Sequence, residues 1–196
     1  SREGPVLEQA EQLIPRCIHP RDDVEARGLS DAEHRWFYTM FLQTLGKYLL
    51  LKSEKGQLDF MYHYAREALL SYARWAMDNE RPYLERPEGL EFPTETWAAQ
   101  DMRKCELLNL ASLFADGATA AKMRGRARYF FDRSVEQLEE AKTSSYCRPL
   151  VLLLSNGVSQ AYFDGSIEEL PLEDAAVEHE FGVPERFETQ KRRAIR

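Results

Sequence analysis

Only three of the 196 residues are cysteine, and Cys17, Cys105 and Cys147 are odd in number and far apart. No CxxC pair and no HExxH run occurs. A disulfide framework, a structural zinc and a zincin site therefore have no support, and no metal ligand or cofactor is assigned. Buried, reduced thiols in a cytoplasmic protein are expected instead. Long hydrophobic runs are missing too. The longest, Leu150 to Leu154, is far too short to span a bilayer, so no membrane partner is expected. Basic charge is scarce: the formal net charge is −7, which argues against nucleic acid, whose binding needs a clustered basic surface. Lys122, Arg124, Arg126 and Arg128 form a basic run, but they spread around a helix, and the tail ends in a second, QKRRAIR, after an acidic stretch. Alternating strand patterns are absent, and no Asn-Gly or Asp-Gly turn is flanked by them. No fixed period of self-similarity appears, which disfavours a simple repeat array. The N-terminus SREGPVLEQAEQ is polar and has no secretory core. It also lacks an initiator Met, which is read as the removal of an upstream part by processing or trimming.

What is present is helix. The composition, 43% hydrophobic and 30% charged, fits one folded domain. Helical periodicity predicts six segments: 6–14, 30–52, 58–79, 94–115, 118–142 and 147–163. Ser30-Asp31-Ala32-Glu33 matches a capping box, with Ser30 accepting from the Glu33 amide. Pro82, Pro87 and Pro93 hold the loop ERPYLERPEGLEFP out of helix. Asp116-Gly117 is read as a turn with a left-handed glycine. Residues 1–166 form the helical-hairpin domain on this reading, and 167–196 an irregular C-terminal tail.

The segments alternate in character. The second (WFYTMFLQTLGKYLLL), fourth (LLNLASLFA) and sixth (RPLVLLLSNGV) are apolar nearly all round, which requires cover on most sides. The third and fifth carry one apolar stripe against many charges. An inner layer of even-numbered helices and an outer layer of odd ones is expected. Two of the three outer-to-inner connections, 16–30 and 80–93, are long, and long loops in compact domains are usually functional. Antiparallel succession collects DAEHRWFY (31–38), TETWAAQD (94–101) and SSYCR (144–148) on the long-loop face.

Candidate chemistry follows from these clusters. Asp101 lies four residues after Trp97 on a stripe continued by Cys105 and Leu108, so a carboxylate stands among apolar neighbours. It either pairs with an arginine across the helix interface, Arg148 or Arg35, or carries the raised pKa of an acid or base. Glu95 falls in the first helical turn. It either complements the helix dipole or supplies a second carboxylate. The two are separated by about 9 Å of rise and roughly 120° of rotation, so they make no obvious pair alone. Asp22, Asp23, Asp31 and Glu33 are further carboxylates with nothing to select among them. His34, Arg35, Trp36 and Trp97 offer indole faces and polar groups for a sugar, or are core aromatics beneath a cap. Tyr146 and Arg148 complete the substrate-binding set. Thr94 is expected to cap the fourth helix.

Inner and outer helices in alternation, with long loops at the inner N-termini, resemble the α/α toroid. Its best-known members are the six-hairpin glycosidases, the N-acylglucosamine 2-epimerase-like proteins and related polysaccharide lyases. The hairpin count makes this a partial toroid or α-superhelix. The resemblance implies a carbohydrate ligand in a cleft at the inner N-terminal ends, with Glu95 and Asp101 as catalytic carboxylates. Glycoside hydrolysis, epimerisation or lyase chemistry is the implied activity. The other reading is a non-enzymatic helical scaffold for a protein partner.

Overall fold

The structure is a computed structural model and describes residues 4–143, 146–165 and 179–184. The described residues are helical, with no strand among them. The helices are α1 (Gly4–Cys17), α2 (Ala32–Arg35), α3 (Tyr38–Glu54), α4 (Phe60–Asn79), α5 (Glu95–Ser112), α6 (Gly117–Glu140), α7 (Cys147–Leu152) and α8 (Val158–Asp164). A π-helical turn, Leu153–Gly157, joins α7 to α8. No described helix is long and apolar enough to cross a membrane.

The packing centres on α5. It touches α3, α4, α6, α7 and α8, and it buries an unbroken run from Asp101 to Ser112 apart from half-buried Arg103. That is why this helix has no clean polar face: every side has a neighbour. α3 crosses α5 closely enough that Gly46 is required, because a Cβ there would lie 2.9 Å from Leu110 Cβ. Of the residues expected inside, Leu45, Leu108 and Leu152 are buried and Phe41 half-buried; of those expected outside, Arg74 on α4 is exposed but Arg133 on α6 is half-buried, so the division into layers is not clean. The sixth segment departs from that reading. Leu152 and Pro149 face inward, but Leu150, Val151, Leu154, Val158 and Tyr162 are exposed. Hydropathy alone does not distinguish a helix covered all round from one whose apolar outer face meets no described residue.

Side-chain contacts fix which ends meet. Tyr38, opening α3, donates to Glu80 just past the end of α4. Ser134, late in α6, donates to Ala98 O near the start of α5. At the other end Tyr62, early in α4, packs edge-on against Phe114 after α5, and Ser53 meets Tyr62. Tyr62, His63 and Tyr64 are thus at the end away from Trp97.

Several helix starts differ from the expected ones. The segment read as 30–52 is two helices, because the chain bends at Trp36–Phe37. The Ser30 capping box does not form: Asp31 caps α2 by accepting from the His34 amide, and Glu33 instead accepts from the Glu91 amide. Thr94 precedes α5 without a side-chain cap. Asp116 caps α6 through the Thr119 amide, so Gly117 opens a helix rather than closing one. The left-handed glycines among the described residues lie elsewhere, at Gly28, Gly56 and Gly182, with φ of 64°, 63° and 72°. The tail expected at 167–196 lies outside the described residues except for 179–184. There Phe181 packs on Tyr64 and Phe60, and its carbonyl lies 3.2 Å from His19 Nε2.

Candidate functional site

The two long loops meet. Residues 29–32 before and in α2, the end of α4, and residues 81–89 enclose a cleft of about 210 Å³. Two short 3₁₀ turns, Tyr83–Glu85 and Pro87–Gly89, shape its far wall, with the prolines setting backbone angles that a helix could not continue. Ser30, Asp31, Arg81, Arg86 and Glu88 bring hydrogen-bonding groups to its lining.

Glu80 and Tyr83 line the same cleft and tie it to a buried ion cluster. Lys104 is 1% exposed, and its Nζ lies 2.9 Å from Glu80 Oε2 and 3.0 Å from Asp101 Oδ1. It also donates to Arg81 O and sits 3.3 Å from the centre of the Tyr83 ring. Asp101, fully buried, accepts from the Tyr83 amide at 3.1 Å. Its other oxygen has an ion-pair distance to Lys104 without an aligned hydrogen bond. Tyr38 Oη donates to Glu80 Oε1 at 2.6 Å. One cation therefore serves two carboxylates, all three side chains being buried. Burial pushes the Asp101 carboxyl up to about 6, against the opposing pull of Lys104. Burial, followed by the Glu80 charge, also holds the Tyr38 and Tyr83 phenols well above their usual range.

None of the sequence-predicted site residues lines this cleft. Asp101 is buried and paired as expected, but its partner is Lys104, one turn along the same helix, rather than Arg148 or Arg35. Both of those arginines are exposed. Glu95 is half-buried outside the lining. Trp97 packs edge-on to Tyr83 at 5.1 Å and donates its indole N–H to Phe92 O. Trp36 lies half-buried under the Arg103 guanidinium, 5.3 Å away. His34 is exposed, with Nδ1 3.1 Å from Asp31. Tyr146 is exposed and hydrogen-bonded to Ala141 O, and Arg148 opens α7. Ser144, in the third cluster, lies outside the described residues.

Sequence reasoning missed Glu80, Arg81, Tyr83 and Arg86. The available signal was the loop ERPYLERP itself, where Glu-Arg-Pro occurs twice around Tyr83. Among the described residues no group of three or more His, Cys, Asp or Glu could hold a metal ion. No protein-family model, no curated protein and no solved structure matches the chain.

Proposed function

We propose that this chain is a carbohydrate-binding domain of the partial α/α-toroid type, with the loop cleft as its site. The observation that carries the reading is the convergence of the two long loops on a polar cleft beside the first turns of α5. Ser30 and Asp31 on one wall and Arg81, Arg86 and Glu88 on the other offer the mixed donors and acceptors that hydroxyl groups require. The ion cluster beneath fixes the positions of Glu80 and Tyr83, so little ordering remains when a ligand binds. The meeting of the α3 start with the α4 end, and of the α5 start with late α6, supports the hairpin succession of a toroid.

We assign binding rather than turnover to this cleft. A glycosidase needs two carboxyl groups roughly 5 to 10 Å apart across the bond. The two carboxylates that the resemblance made catalytic do not meet there, since Asp101 is sealed from the cleft and Glu95 stands outside its lining. Of those that do line it, Glu80 is buried against Lys104 and Tyr38, and Asp31 caps α2. Titration calorimetry with neutral and acidic oligosaccharides tests the reading. Binding that weakens at least about tenfold in Glu88→Ala or Arg86→Ala, roughly 1.4 kcal/mol, with unchanged melting is expected. No heat from any oligosaccharide, or affinity indifferent to both substitutions, would sink it.

A further inference from the structure

Three of the four histidines meet at the end of the molecule away from the cleft, and they come from three separate stretches of chain. His19 follows α1, His63 lies in the first turn of α4, and His179 begins the segment 179–184. Phe181 of that segment sits among them, 5.8 Å from the Phe60 ring and edge-on to Tyr64 at 5.7 Å.

The contacts of these histidines suit uncharged rings. His19 is 4% exposed, and the Arg21 amide donates to its Nδ1 at 2.9 Å. An amide N–H can only donate, so Nδ1 is bare and the ring proton is on Nε2. That Nε2 donates to Phe181 O at 3.2 Å. A second proton, on Nδ1, would set one N–H against another and break the contact with Arg21. His63 and His179 stack with ring centres 4.2 Å apart and 26° between their planes. Two imidazolium ions at that separation repel each other, and the rings of Phe60 and Phe181 beside His179 bring no counter-charge. The buried Nε2 of His179 has no hydrogen-bond partner among the described residues, so no acceptor there offsets a charge on that ring.

The neighbouring charges do not reverse this preference. Burial, then His179 and Arg66, outweigh the Leu58 backbone and Asp59 in their action on His63. Asp59 is already engaged by Lys52 and the Tyr62 amide. Beside His19, Asp22 is engaged by Arg27, Tyr72 and the His19 amide, and the Tyr64 ring stands edge-on at 5.5 Å.

We propose that residues 179–184 are an acid-released clip, closed over the start of α4 while His19, His63 and His179 are neutral and freed when they take up protons, which uncovers Phe60, Tyr64 and His63. The clip is independent of what the cleft binds. Because the closed form favours the uncharged rings, closure is complete above a pH of about 6.5 and is lost as pH falls below it. Each histidine that must stay neutral lowers the closing constant about tenfold at a pH of about 5.5. Asp101 also titrates near there, but its proton favours the folded state, so it does not open the clip.

A glutamate-specific protease cutting after Glu180 reads the opening, since a protease needs the chain released and extended. The rate on the full chain is divided, at each pH, by the rate on a synthetic peptide of residues 175–188. Between pH of about 7.5 and 5.5 this ratio should rise at least about tenfold, with no cleavage after Glu106 inside α5. His63→Phe keeps a ring for His179 to stack on, and His19→Gln keeps an N–H for Phe181 O. The rise should be at least about threefold smaller in each. Each variant is judged by its own ratio between the two pH values, so weaker closure at neutral pH does not obscure the result. A ratio that does not change with pH, or cleavage already as fast as the peptide's at neutral pH, overturns the proposal. So does a rise equal to the parent's in both variants, or cleavage after Glu106 that rises in parallel, which would mark global unfolding.

Discussion

Lys104 is the residue on which the interior is most dependent. It stands between Glu80 and Asp101 with almost no access to water, and its removal leaves two buried carboxylates facing each other. Lys104→Met keeps the stem's packing and loses only the charge. Breaking a buried pair in this way costs about 3–5 kcal/mol. We expect an unfolding free energy, from chemical denaturation, lowered by that amount, and a value equal to the parent's would show that the cluster is not ionised. Asp101 makes the complementary test. Its folded pKa, about 6, lies above the ordinary 3.8, so the folded state holds the proton more tightly than the unfolded chain. The stability it contributes is full below pH 3.8 and is lost as pH rises through about 6. Asp101→Asn removes that titration and still accepts from the Tyr83 amide. Subtracting the two stability curves measured by urea unfolding should give a difference that falls between pH 4 and 6 and is flat above. A flat difference across the whole range would refute the raised pKa.

At the scale of elements, two contacts decide how helices sit. The first is the crossing of α3 over α5 at Gly46. Because the atom a new Cβ would meet is Leu110 Cβ, held to a buried backbone, Gly46→Ala must push the helices apart. Overpacking of this kind costs about 1–3 kcal/mol, and no loss in a thermal melt would show the crossing to be looser than described. The second is the clip formed by residues 179–184 over the start of α4. His179 stacks on His63 at 4.2 Å, and Phe60, Tyr64 and Phe181 surround the pair. Burial first, then His179 and Arg66, lowers the His63 pKa below 6.5. The neutral ring is therefore favoured in the folded state, and the stability it brings is present above pH 6.5 and is lost as pH falls below it. The facing charges are Arg66 and Asp59 on or before α4, with His179 from the clip. Proteolytic cleavage near residue 179 should accelerate as pH drops below 6.5, and should do so less in His63→Phe. Equal acceleration in both would place the acid sensitivity elsewhere.

For the whole molecule these two titrations oppose each other. Asp101 lowers stability as pH rises from 4 to 6, whereas His63 raises it as pH rises toward 6.5. A nearly level overall profile would therefore conceal two responses, and only the single variants separate them. The architecture explains the placement of both. Asp101 lies at the end where the long loops close the cleft, and His63 at the opposite end beneath the clip, so a ligand in the cleft should shift the first titration and leave the second unchanged.

Much of the fold was legible in the sequence, because helix existence is written in local periodicity. The stripe Tyr64, Ala68, Tyr72 and Ala76 on α4 and the all-round apolar run of α5 each needed only their own residues to be read. The prolines of 82–93 likewise fixed a loop, since a missing amide donor acts locally. The burial of Asp101 followed from the face it shares with Cys105 and Leu108. Its partner did not follow: an i,i+3 lysine usually lies on the surface, and only the packing of Tyr83 and Phe130 around Lys104 turns that ordinary spacing into a buried pair. The cleft was invisible for the same reason. Glu80 and Asp31 are far apart in the chain and meet only when α2 and the end of α4 are brought together. The sixth helix gives the converse lesson. Its apolar residues were plain in the sequence, but which of them face outward was decided by where Gln43 and Asn109 found hydrogen-bond partners, at Asn156 and Gln160. Local sequence determined which segments are helical, because each turn's hydrogen bonds and caps lie within a few residues. Tertiary structure alone decided which faces stay open, because burial is a property of what the neighbours leave uncovered.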